Sequence, residues 1–189
     1  MSTAAARRLL EELDQLHAAL PRLRFGDRCF TCEASCCLRV QAGEYAVLLL
    51  PGEMHRLVQS YPALCDGTRF LRFHEIEVLK GCGASPETLA CPIGCCGFDC
   101  RVFPMYVADD GAGHPVVRVD DRCPLAAEVP AAQVAALQEL VARHPALFGP
   151  YARALRAHYG ALQRGARPYA EAEPIRDEHA YLRERGFDT

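Results

Sequence analysis

Between Cys29 and Cys37 the chain reads C-F-T-C-E-A-S-C-C, four thiols in nine residues with the last two adjacent. Cys29 and Cys32 are spaced C-x2-C, which lets one tight turn aim two thiolates at a single ion about 2.3 Å from each sulfur. Cys36 and Cys37 supply two more sulfurs. Neighbouring side chains diverge on an extended backbone, so the pair either serves two ions or splits into one ligand and one packed thiol. A second group follows in G-C-G-A-S-P-E-T-L-A-C-P-I-G-C-C-G-F-D-C-R-V-F-P-M, with Cys82, Cys91, Cys95, Cys96 and Cys100, and Cys123 comes later in D-D-R-C-P-L. Gly81, Gly83, Gly94 and Gly97 flank these thiols, as suits a backbone that wraps an ion.

Other uses of sulfur fit less well. With 189 residues the chain is long enough to build a core without covalent staples. Its 11 cysteines are an odd number. The N-terminal stretch M-S-T-A-A-A-R-R-L-L-E-E-L-D-Q-L-H carries acids where a signal peptide needs an unbroken apolar run, and no window approaches the ~18 apolar residues of a membrane span. These features predict a cytoplasmic protein in which thiols stay reduced and clustered cysteines serve metal or redox chemistry. Cys65 stands apart in S-Y-P-A-L-C-D-G and reads as a packed or surface free thiol. The net charge of -3, from 21 Lys+Arg against 24 Asp+Glu, gives no basic field for nucleic acid.

The order of a C-x2-C-x3-C-C knuckle, a V-x-A-G-E-Y segment, C-P-I-G-x4-D-C-R-V-F-P and a late C-P resembles the bacterial zinc- or iron-chelating cysteine-cluster proteins of the YkgJ type, also known as the CxxCxxCC family. The resemblance spans roughly residues 25 to 125. It implies a metal centre, an iron–sulfur cluster or Zn(2+), with Cys29, Cys32, Cys36, Cys37, Cys82, Cys91, Cys100 and Cys123 as ligands. It also implies that Arg101, which matches the family's arginine, donates to cluster sulfurs or binds an acidic substrate; a surface salt bridge is the plainer alternative. The chain departs from the family pattern in three places. Gly97-Phe98 stands where R-P is usual, the first spacing has three residues before C-C, and Cys95-Cys96 is an additional pair, which leaves the ligand set of the second half open.

These residues need a framework. Leu9, Leu13, Leu16 and Leu20 fall on one stripe of a helix beginning near Ser2 or Thr3 and stopping at Pro21. Tyr45 to Leu50 fits a buried strand, and Pro51-Gly52-Glu53 opens a helix to about Ser60. Leu71, Phe73, Ile76 and Val78 predict an extended segment with a register break at His74-Glu75. Val102 to Ala108 and Pro115 to Asp120 flank D-D-G-A-G as a hairpin. Two apolar stripes follow, one through Val134, Leu137, Leu140 and Val141 and one through Leu147, Tyr151, Leu155, Tyr159 and Leu162, separated at His144-Pro145. A last helix is expected from about Pro174 to Arg185, in a charged terminal stretch that reads as a loosely docked tail. The expected architecture is α+β and a single domain over 1–189. An N-terminal helix (1–24) leads into a cysteine-cluster core (25–125) with a small antiparallel sheet and a metal-binding knuckle, and C-terminal helices (126–189) pack around it.

Little else in the sequence points to chemistry. Of seven histidines, His55 and His74, within the cysteine-rich block, are candidate ligands or proton donors. Glu53 reads as a first-turn helix acid rather than a catalytic base. Phosphate-binding and dinucleotide signatures are absent. The expectation is therefore a metal-binding protein, with a redox role if the metal is an iron–sulfur cluster, and with ligation adding folding free energy, on the order of 10 kcal/mol for a structural zinc site. Its partners would be metal ions and a redox partner or protein substrate. Two alternatives are a methylase-like enzyme acting on protein beside the cluster, which one relative in the family suggests, and a metal-delivery or adaptor protein.

Overall fold

The computed structural model describes residues 3–19, 46–80, 97–165, 169 and 171–188; the side chains of 16–19 and of Cys100 lie outside that set. The first helix, α1, is Thr3–Ala19, and it buries Ala6, Leu9, Leu10 and Leu13. Leu9 and Leu13 of the leucine stripe therefore dock on this chain's own core, and the Leu16 side chain and Leu20 lie outside the described residues.

The central element is a four-stranded antiparallel sheet in the order β1-β3-β2-β6. Strand β1 is Ala46–Leu49, β2 is Phe70–Phe73, β3 is Ile76–Lys80 and β6 is Glu173–Pro174. All four β1 residues are buried, because the sheet is covered on both faces. Ala46, Leu48, Leu71, Ile76 and Val78 belong to one apolar cluster, and Val47, Leu49, Phe70 and Leu79 to the other. Two-sided burial accounts for the continuous apolar run that marks β1 in the sequence. Helix α2, Glu53–Ser60, lies over the second face through Met54, Leu57 and Val58.

Residues 71–78 form two strands rather than one extended segment with a break. Phe73 pairs with Ile76 across a tight turn in which His74 takes φ 54°. Apolar alternation on both sides of His74-Glu75 looks continuous in sequence, and the turn is hidden because neither residue is Gly, Pro or Asn.

A short helix α3, Phe98–Val102, occupies the start of the stretch expected to be the hairpin's first strand. The hairpin itself begins at Met105: β4, Met105–Asp109, pairs with β5, Pro115–Val119. Asp109 and Asp110 close its loop by accepting backbone N–H groups from Gly111 and Gly113 and from Ala112 and His114 respectively. Helices α4, Ala131–Arg143, and α5, Pro145–Gln163, follow with the break at His144-Pro145 where the sequence placed it. Leu137, Leu140, Phe148, Tyr151 and Ala154 fill the larger cluster against β4 and the first face of the sheet.

The C-terminal stretch is docked, not loose. Glu173–Pro174 pairs with β2 as β6, and helix α6, Glu178–Glu184, starts at Asp177, whose side chain accepts the Ala180 N–H. Ile175, Leu182 and Phe187 enter the second cluster, and Glu178 is buried, accepting the Gly67 N–H at 2.9 Å. Apart from Glu178, its charges lie on the exposed side of a short element whose apolar residues are few and widely spaced, which gives the sequence the look of a loose tail. The α+β class expected from the sequence is observed. Among the described residues no helix is long and apolar enough to cross a membrane.

Candidate functional site

Three of the four ends of the cysteine-bearing stretches meet this framework at one place. Residue 45 leads directly into Ala46, residue 81 follows Lys80, and Ala46 and Lys80 are paired across β1 and β3. Residue 96 leads into Gly97, which lies so close to β1 that a Cβ there would sit 2.7 Å from Val47 Cγ1. Only glycine permits that approach. The next residue, Phe98, is fully buried, with its ring 5.4 Å from those of Phe148 and Tyr151. Gly97-Phe98, the departure from the family pattern, is therefore an anchor: a close contact on β1 followed by an aromatic plug in the core.

Beside this junction sit two acids, Glu53 buried and Asp99 half-buried. Strand β1 is an edge, so the Leu48 and Leu50 N–H groups point away from β3 and need acceptors from elsewhere. Leu48 donates to the Asp99 carboxylate at 3.1 Å and Leu50 to that of Glu53 at 2.7 Å. Glu53 also donates its own N–H to the Leu50 carbonyl, closing a reciprocal pair at the start of α2. Burial pushes Glu53 up to about 8, against the Leu50 N–H that favours its charged form, and the Asp99 charge adds to the rise. Burial likewise pushes Asp99 up to about 7, opposed by the Leu48 N–H. Sequence reasoning placed Glu53 in the first turn of a helix, where it is, but missed its partner Asp99.

Arg101 lies on the same short helix. Its guanidinium donates to Asp14 of α1 at 2.8 Å, and Arg56 of α2 donates to the same oxygen at 3.0 Å. Asp14 thus ties α1, α2 and α3 together, and the ion pair weighed as the plainer role for Arg101 is present.

Cys29, Cys32, Cys36, Cys37, Cys82 and Cys91 lie outside the described residues, as do Cys95 and Cys96; Cys100 has its backbone in α3. Cys123 is buried on the turn after β5, unbridged, with its N–H donating to the Asp120 carbonyl. Among the described residues no cluster of three His, Cys, Asp or Glu side chains is arranged to hold a metal ion. Cys65 is partly buried and unbridged, and burial, then the charges of Glu178 and Asp66, push its thiol up. That suits the free-thiol reading, since a raised pKa disfavours the thiolate that binds metal.

The histidine candidates have structural surroundings. His55 stacks on Phe187 at 5.0 Å, and its Nε2 is 2.6 Å from the Asp188 carbonyl. His74 sits at the β2–β3 turn, the end of the sheet opposite Ala46 and Lys80. No family model, curated protein or solved structure matches the chain.

Proposed function

We propose that this protein holds a metal centre, an iron–sulfur cluster or Zn(2+), through the thiolates of its two cysteine-rich stretches. The reading rests above all on the C-x2-C-x3-C-C spacing of Cys29 to Cys37 followed by Cys82, Cys91 and Cys100. It is supported by connectivity: the two stretches are tethered at Ala46, Lys80 and Gly97, three neighbouring points on one end of the β1–β3 pair. Tethers this close lower the loop-closure entropy that would otherwise oppose bringing distant thiols onto one ion. Cys123 adds a buried, unbridged thiol, a soft donor suited to zinc or iron. Such a centre would supply a structural cross-link as zinc and electron storage as an iron–sulfur cluster. The protein's own residues fix the anchor points and, through Asp14, the orientation of Arg101.

Metal and acid-labile sulfide content on protein purified without oxygen tests this. The expectation is stoichiometric zinc, or iron with sulfide and a visible absorption band. Cys32→Ser and Cys91→Ser should lower the content, and Cys65→Ser should leave it unchanged. Protein without bound metal, or content insensitive to the first two substitutions, overturns the proposal.

A further inference from the structure

On the side of the molecule built by α5 and the β4–β5 hairpin, a cleft of about 1120 Å³ runs beneath the β2–β3 turn. Small-molecule sites usually enclose ~300–1,000 Å³, so there is room for a ligand of two parts. The cleft is lined by side chains on two regular elements. Tyr106 and Arg118 are directly opposed across β4 and β5, so both leave the same face of the hairpin. On α5, Arg153, Arg156, Gly160 and Arg164 recur at intervals of three or four, one stripe of a helix, with Ala157 and Ala161 as the low floor between the arginines.

Five arginines line the cleft, and three are already engaged. Arg122 is held in two parallel bonds by Asp120, at 2.9 and 2.7 Å, with its guanidinium 5.7 Å from the centre of the Tyr159 ring. Arg156 lies 3.5 Å from Asp109, and Arg153 pairs with Glu75. Among the described residues Arg118 and Arg164 have no carboxylate partner. Each offers a planar fork of donors that matches phosphate oxygens. A helix C-terminus favours a cation at Arg164 without any ligand, but no such reason applies to Arg118, which stands on a strand.

The charge balance limits what can bind. Against the five arginines stand Asp109, Asp120, Asp121 and Glu171, so the cleft has no extended positive field for a polyanion. Two free forks suit one phosphate or a short phosphate chain. Tyr106, partly exposed on the same hairpin face as Arg118, offers its ring to a flat group, whereas the Tyr159 ring already carries Arg122.

We propose that this cleft binds a small organic phosphate carrying a planar ring, of the mononucleotide class, with Arg118 and Arg164 donating to the phosphates and Tyr106, on the same hairpin face as Arg118, receiving the ring. The assignment uses none of the cysteines and stands whether or not the chain holds a metal.

The probe is adenosine diphosphate, titrated into the full-length, metal-replete protein while amide resonances and binding heat are followed. Shifts should concentrate in residues 105–122 and 153–164, with saturation below about 1 mM. Arg118→Ala and Arg164→Ala should each weaken binding about tenfold, as expected for losing a charge-assisted fork, and Arg7→Ala on α1 should not. Inorganic pyrophosphate, which lacks the ring, should bind about tenfold more weakly. Circular dichroism on each variant confirms that the exposed substitutions leave the fold intact. The proposal is overturned if no resonance in those two stretches moves by 5 mM nucleotide (a roughly millimolar ceiling for a specific site), if the arginine variants bind as the parent does, if pyrophosphate binds as well as the nucleotide, or if a single-stranded oligonucleotide binds where the nucleotide does not.

Discussion

Glu53 is 4% exposed and its carboxyl group is pushed up to about 8 from an ordinary value of 4.5. The folded protein therefore keeps a proton that the unfolded chain gives up. The stability this group contributes is complete below about pH 4.5 and is lost as pH rises through 8. Between those values each pH unit costs about 1.4 kcal/mol from this site alone. Glu53→Gln keeps an acceptor for the Leu50 N–H and cannot ionise, so the variant should lose less stability than the parent between pH 6 and 9. Urea midpoints at the two pH values read this directly, and parallel losses in both proteins would show that Glu53 is charged when folded. Gly97→Ala makes a second residue-scale prediction. Its Cβ would lie 2.7 Å from a stiff valine methyl on β1, so overpacking should cost about 1–3 kcal/mol in thermal or urea unfolding. A neutral substitution would mean that β1 yields. Neither role could be read from sequence: Glu53 was legible as a helix-start acid, but its raised value owes part to the charge of Asp99, 46 positions later on α3 at the same strand edge.

At the scale of elements, legibility followed period and length. Helices α1, α4 and α5 show apolar stripes over many turns, and β1 shows a run buried on both faces, so their place in the sequence is plain. Helix α3 has five residues and β6 has two, too few for any periodicity, and both exist because of what they touch. The α6 segment is the clearest case. Glu77 on β3 is buried, accepts the Tyr181 hydroxyl at 2.9 Å and lies 3.2 Å from Arg185, whose guanidinium sits 4.6 Å from the Tyr181 ring centre. The C-terminal stretch is thus held by the buried acid Glu77 and by Glu178, which accepts the Gly67 N–H, as well as by Ile175, Leu182 and Phe187. Leu182→Ala should cost about 2–4 kcal/mol by leaving a cavity. Glu77→Ala should cost less in global stability but expose residues 173–188 to limited proteolysis, because the Tyr181 hydroxyl and Arg185 lose their common partner. Equal protease resistance in parent and Glu77→Ala would show that the remaining contacts of the segment hold it without Glu77.

At the scale of the whole molecule, the two apolar clusters are built from residues of the sheet and helices, and they close over both faces of β1, β2 and β3. A thiolate-bound ion of the kind proposed would act at one end of this sheet, through the tethers at Ala46, Lys80 and Gly97. Structural zinc sites contribute on the order of 10 kcal/mol where folding depends wholly on them, but here much of the apolar burial does not pass through the tethers. Chelation should therefore act unevenly. Amides near the junction, on β1, the end of β3 and α3, should exchange much faster in metal-free protein. Those of α5 and of the β4–β5 hairpin, held by Val107, Phe148 and Tyr151, should keep most of their protection. Hydrogen exchange with and without a strong chelator separates the outcomes. Uniform loss of protection would make the metal the nucleus of the entire fold, and no change at β1 and α3 would remove the coupling between the proposed centre and the sheet edge to which its cysteines are joined.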